Sequence, residues 1–408
     1  MRALSSTIRE YAWGSHTAIA TLQRRPVPSE LPEAELWMGA HPSAPSLMDV
    51  GPGAAGGDLV PLGEVIARDP VAMLGHDVAT AYGGRLPYLL KVIAAAQPLS
   101  LQAHPDAEQA AAGYAAEEAA GLPRDAPGRN YVDPHHKPEL LVAVEDFDAL
   151  CGFRHPDETA PLLESFGVDA LKPVIAALQA GSVPQRLRRA VETLVRWPAE
   201  ERAGLVGAVA AAGRSLAGTP SSRGGLRTPY HTLAADLGSR YPGDVGVVLA
   251  LLLNRVLIRP DEAIFMPPGN LHAYLNGVGV EIMAASDNVV RGGLTPKHVD
   301  AVELLKVLRY EVLDGPVVRP EEIASGVLAW RPPVREFALV SVAVDAGTGP
   351  RTAPGAGPRI IVCVRGEAYL RAGADALTLR SGESAFVSAD EPAVAVRGDA
   401  VVFQASPG

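Results

Sequence analysis

The chain has little cysteine, little lysine and no long apolar run, and each shortage removes a class of function. Only Cys151 and Cys363 occur in 408 residues. They are too few and too far apart for a disulfide framework, and two thiols suit a reducing compartment. The longest apolar stretch, Val245–Leu253, is about half of the roughly 20 residues that a helical membrane span requires. The opening MRALSSTIREYAWG contains no apolar h-region, so no secretory signal is expected and the reading is a cytoplasmic protein without a membrane partner. No basic run stands out and the net charge is −10, which argues against nucleic acid as a partner. In so acidic a chain, an anionic ligand needs a local group of cations.

The basic residues are mostly Arg. Lysine occurs only at positions 91, 137, 172, 297 and 306, so a compact point charge stands out where it is used. Hydrophobic residues make up 48% and charged residues 20%, a globular composition with enough chain for about two or three domains. Three regions follow. Residues 1–151 and 256–320 carry short strand patterns. Residues 152–255 show helical spacing in ETAPLLESF, LKPVIAALQA, PQRLRRAVETLVRW and ERAGLVGAVAAAGRSL, with a loop at 217–229. Residues 321–408 read as closely spaced strands with Gly turns: FALVSVAV, RIIVCVRG, EAYLRAG, DALTLRSG, SAFVSA, AVAVRG and AVVFQA.

Chemistry concentrates in a few places. LSLQAHPD (99–106) alternates, so a strand there sets Ser100, Gln102 and His104 in one row. Alone, that row is as well explained by a wet sheet face. Asp106 and Gln109 then have capping-box spacing before an Ala-rich helix. KPELLVAVEDF (137–147) reads as a strand with Lys137 and Glu139 on one face. PPGNLHAYLN (267–276) fits P-x-G-x2-H-x3-N, through Pro267, Gly269, His272 and Asn276. That pattern resembles the second box of the cupin superfamily, whose His is a metal ligand, although Asp261 stands where the box expects Gly. Metal sites of that superfamily also take ligands from an earlier strand, usually H-x-H with a later Glu, so the resemblance implies Gln102, His104 and Glu139 beside His272: two nitrogens and two oxygens, a donor set that suits zinc.

Over most of its length the chain resembles the type I mannose-6-phosphate isomerase family. The segments that carry the resemblance are YAWG (11–14), ELWMGAHPSAPS (35–46), LPYLLKVIAAAQPLSLQAHPD (86–106), HKPEL (136–140), YPGDVGV (241–247), NLHAYLNG (270–277) and VEIMAASDNVVRGGLTPK (280–297). The departures are Leu271, where many members have Pro, and Asp261. The resemblance implies a mainly β fold: a cupin-type jelly-roll barrel carrying the site, an inserted helical section, and a second C-terminal cupin-like barrel. It implies one zinc per chain on Gln102, His104, Glu139 and His272. The implied reaction interconverts mannose 6-phosphate and fructose 6-phosphate through an enediol.

Glu281 and Lys137 are the candidate bases for that proton transfer, and Arg291 the candidate stabiliser of the enediolate. Ser100, Lys91 and Lys297 are the candidate phosphate contacts, with Trp13 and Trp37 walling the pocket. A small sugar phosphate is the expected partner and a monomer the expected state. Two other classes share some features. An iron-dependent cupin oxygenase would use two His and one carboxylate with open positions, which leaves the amide and the lysines without a role. A non-catalytic sugar-phosphate binder would have no use for the full ligand set. No His lies beyond His298, so the C-terminal β region is expected to be structural.

Overall fold

The computed structural model describes residues 1–51, 59–218 and 229–408. Most of the loop expected at 217–229 lies outside the described residues. Among the described residues the chain is mainly strand with an inserted run of helices, the expected class, built on two antiparallel sheets of eleven strands each. Both are open paths of strands rather than closed rings.

The strand His272–Ala284 is central to the first sheet. Its first half pairs with Leu101–Ala103 and Phe147–Phe153. Its second half pairs with Tyr88–Ala95 and Glu139–Ala143. The change of partners falls at Gly277, where φ is +133°. A Cβ there would lie 2.6 Å from the Phe147 ring, so this bend requires glycine. The bend lets one strand present His272 before it and Glu281 after it.

The polar row of LSLQAHPD has its explanation here. Leu101 and Ala103 are buried in one apolar cluster with Leu271, Ala273 and the helical section. The strand itself is short, Leu101–Ala103, and His104 and Pro105 follow it. Asp106 accepts from the Gln109 amide at 2.9 Å, and Gln109 accepts from the Asp106 amide at 3.0 Å, closing the expected capping box. The segment 137–147 is not one strand. It breaks after Ala143, where Val144 and Glu145 both donate their N–H to Val278 O, and Phe147 begins the next strand. Asp261 sits at φ +69°, a left-handed turn that costs most L residues about 1–2 kcal/mol and that Asp tolerates better than most. That geometry accounts for the Gly expected at this point.

The helices run Pro156–Ser165, Lys172–Gln179, Val183–Val195, Ala199–Gly218 and Pro229–Arg240. In Val183–Val195 the residues Leu187, Ala190, Val191 and Leu194 are buried, the spacing of a single apolar stripe.

The second sheet is built mostly from residues 321–406, and Arg2–Ser5, Leu47–Asp49 and Leu59–Pro61 extend its edge. The N-terminal segment thus contributes to both sheets. Two pairs of expected strands are each one long strand, Arg359–Ala372 and Val394–Ser406. Gly366 and Gly398, which look like turn residues in sequence, have φ of +77° and +116°. A Cβ at either would collide with the facing strand, at Asp399 O for Gly366 and at Glu367 O for Gly398. They bend the paired strands without ending them. Among the described residues no helix is long and apolar enough to cross a membrane.

Candidate active site

Four strands bring the polar groups together, Leu101–Ala103, Glu139–Ala143, His272–Ala284 and Val290–Gly293, with His104 just past the first. His272 is in register with Gln102, and Gln102 with Arg291. Glu139 is in register with both Met266 and Met283. His104, Glu139 and His272 are buried and are arranged so that they can hold a metal ion. His104 Nε2 lies 3.3 Å from Glu139 Oε1, and His272 Nε2 lies 3.2 Å from Glu139 Oε2.

The tautomers follow from the other ring nitrogens. His104 Nδ1 donates to Asn288 O at 2.7 Å, and His272 Nδ1 donates to Asn270 O at 3.1 Å. A carbonyl only accepts, so each Nδ1 carries a proton and each ring turns its Nε2 toward Glu139. His104 Nε2, His272 Nε2 and Glu139 Oε2 have no hydrogen-bond partner. Three buried lone-pair donors facing one another are costly unless a cation lies between them. Two imidazoles and a carboxylate are the donors that suit zinc, so the residues fit the ion.

The protonation states agree with that role. Burial pushes the His104 imidazole down to about 4, against the pull of Glu139. Burial also pushes the Glu139 carboxyl up, but the Lys137 ammonium outweighs it and holds the group well below the usual range. Lys137 Nζ stands 2.9 Å from Glu139 Oε1.

A cavity of about 560 Å³ opens in front of this cluster. Gln102, Glu139, Lys137, Glu281 and Arg291 line it. So do Ser100, Lys91, Lys297 and Trp13. His104 and His272 do not line it and lie beside Glu139, which does.

The likenesses to known proteins match this geometry. Residues 1–156 match the family model for the catalytic domain of type I phosphomannose isomerase. The chain is 39% identical over 399 residues to mannose-6-phosphate isomerase of Escherichia coli strain K12, covering 98% of this chain and 97% of that protein. It is 33% identical to the enzyme of the same name from Schizosaccharomyces pombe, covering 99% of each. The chain belongs to the mannose-6-phosphate isomerase family. Among solved structures, a phosphomannose isomerase variant from Salmonella typhimurium superposes with a TM-score of 0.89 at 36% identity, covering 100% of this chain and 99% of that one. A zinc-bound mannose 6-phosphate isomerase gives 0.88 at 37% identity over the same shares.

In this family member Lys91 is more enclosed than its sequence position suggests. Its strand lies between those of Trp37 and Glu281, and all three residues are in register. The ammonium is 3.2 Å from Glu281 Oε2, 3.6 Å from Glu35 Oε1 and 5.0 Å from the centre of the Trp37 ring. Burial opposes its charge, and Glu35 and Glu281 more than restore it. Glu281 is buried too, and burial raises its carboxyl above the ordinary value despite Lys91. Tyr274 Oη donates to Glu281 Oε1 at 2.7 Å. Arg291 is half-buried, with no ion pair among the described residues, and Lys297 is exposed at the cavity edge. Trp13 stacks on Tyr11 with ring centres 5.8 Å apart and forms part of the wall.

Sequence reasoning passed over Glu35, Tyr274 and Asp287, which also line the cavity. Tyr274 carried a signal: it lies two residues after His272 on a strand, hence on the same face. Glu35 carried the same signal relative to Trp37. Asp287 carried none, because its partner is the distant His41, at 3.3 Å.

Proposed function

We propose that the protein is a zinc-dependent aldose–ketose isomerase that interconverts mannose 6-phosphate and fructose 6-phosphate. The observation that carries this reading is the convergence of His104 Nε2, His272 Nε2 and Glu139 on one buried point at the wall of a cavity of substrate size. Gln102, on the strand beside His272, completes the ligand set. Zinc held there supplies a Lewis acid that draws electron density from the sugar oxygens.

The chain's own residues do the rest. Isomerisation moves a proton between C2 and C1 and needs a base that is ionised yet basic at neutral pH. Glu281 fits this better than Lys137. It faces the cavity, burial raises its pKa, and Lys91 and Tyr274 fix its two oxygens while leaving lone pairs free. Lys137 is bound to Glu139 and, with Arg291, places positive charge where the enediolate develops.

The phosphate goes to Ser100 and Lys297 at the open end. Lys91 is less suited, because two carboxylates already neutralise its ammonium; it serves to hold Glu281. The test is a coupled assay from mannose 6-phosphate to fructose 6-phosphate, with metal analysis. Conversion that stops on chelation and returns with zinc is expected, at about one zinc per chain. Full conversion by metal-free protein, or stoichiometric iron with oxygen uptake, overturns the reading.

A further inference from the structure

The run SDNVVRGGL contains a buried amide that none of the chemistry above uses. Asn288 is fully buried, and both ends of its side chain are occupied. Its Oδ1 accepts from the Val132 and Asp133 amides at 2.8 and 3.3 Å. Its Nδ2 donates to Asp133 O and His135 O at 2.7 and 2.9 Å. Its own backbone carbonyl is the acceptor for His104 Nδ1. Ser286 adds a second tie to the same loop, its hydroxyl 3.1 Å from both Asp133 Oδ2 and His135 O.

We infer that Asn288 is the positioning residue that sets His104 and Lys137 in one frame. Its carbonyl fixes the tautomer and plane of the His104 imidazole. Its side chain clamps residues 132–135, the segment that leads directly into Lys137 and Glu139. The carbonyl cannot shift without dragging the clamp, so ligand orientation and loop position move together. An amide is suited to this because it offers an acceptor and two donors at once, matching two N–H groups and two carbonyls. A carboxylate would place negative charge against the carbonyls, and a hydroxyl is too short to span the loop. Fixing a ligand imidazole through its second nitrogen raises its basicity and holds its direction, and losing such a partner typically costs about 10–100-fold in metal affinity.

This inference rests on the metal reading above, and the test separates the two. Zinc affinity is measured by chelator competition in the natural chain and in Asn288→Ala. The cobalt-substituted forms are compared by visible absorption, and kcat is taken at saturating metal. The inference expects zinc affinity to fall about 10–100-fold, the cobalt spectrum to shift, and kcat to stay reduced when metal is saturating, because Lys137 is also displaced. Asn288→Asp, which keeps an acceptor for the Val132 and Asp133 amides but sets a carboxylate against the Asp133 and His135 carbonyls, is expected to lose zinc affinity as well.

A natural chain that binds no zinc defeats the metal reading. A natural chain that binds zinc, with affinity, spectrum and kcat unchanged in both variants, defeats the inference alone. Should Asn288→Ala not fold, hydrogen exchange on the natural chain still decides. Slow exchange at the Val132 and Asp133 amides is expected, and free exchange at both overturns the clamp.

Discussion

The two sheets share an architecture and differ in what they bury. Each is organised around a long strand, His272–Ala284 in one and Arg359–Ala372 in the other. The first strand carries His272, Tyr274 and Glu281 in its interior. It faces Lys91, Lys137 and Glu139, which are also buried. The second turns Ile361, Cys363, Ala368, Leu370 and Ala372 into an apolar cluster with Val342, Val396 and Val402. Its buried cation, Arg359, donates to the carbonyls of Ser388, Glu391 and Pro392 rather than to a carboxylate. The fold therefore permits a reactive interior without requiring one. The buried charges named here are each met by a counter-charge, by a set of carbonyls or by a group that can take a metal, because an unmatched one would cost several kcal/mol.

The largest expected effect breaks the first sheet's side of this contrast. Glu139→Ala removes a proposed ligand and leaves Lys137 buried without its carboxylate. Zinc is expected to be absent from the purified variant and kcat to fall by ~10³-fold or more. Denaturant titration of the metal-free variant should show a loss of about 3–5 kcal/mol. Retained zinc with near-normal turnover would remove Glu139 from the site. The matching change in the second sheet is Leu370→Ala. It should cost about 2–5 kcal/mol through its cavity and leave zinc content, KM and kcat of the folded protein unaltered. A change in KM would mean that the second sheet takes part in the chemistry.

Acid sharpens the comparison. Unfolded, His104 takes its proton near pH 6.5; folded, it resists until about 4. Stability present above pH 6.5 is therefore lost as the pH falls toward 4, because the unfolded state binds the proton first. For metal-stripped protein the loss is on the order of 3 kcal/mol. Urea midpoints at pH 7 and pH 4.5 measure it, and equal midpoints would contradict the neutral buried imidazole. The smallest effect concerns Lys91→Met. If Lys91 holds Glu281, kcat falls about 10²-fold and KM for the sugar phosphate moves little. A raised KM with unchanged kcat would return Lys91 to the phosphate site.

Much of the site was legible because strand periodicity is local. The alternation through Ser100, Gln102 and His104, and the spacing of Lys137 and Glu139, follow from one chain running in one direction. The box around His272 is equally local, and so is the capping box at Asp106. Partnerships were not legible. Lys91 stood out as a rare lysine, but its confinement by Glu35 and Glu281 comes from strands that lie on either side of it. Asn288 is an ordinary asparagine until the loop 132–135 folds over it. Gly366 and Gly398 looked like the ends of strands, because a bend and a turn ask for the same residue.

The sequence by itself marked the strand-rich regions and the helical insert, which depend on periodicity within a short segment, and its resemblance to a known family named the candidate ligands. Tertiary structure decided which polar atoms converge, which lysine is already neutralised and which buried amide bonds to the loop 132–135. Those depend on register between strands far apart in the chain, and on a burial that makes every unpaired charge expensive.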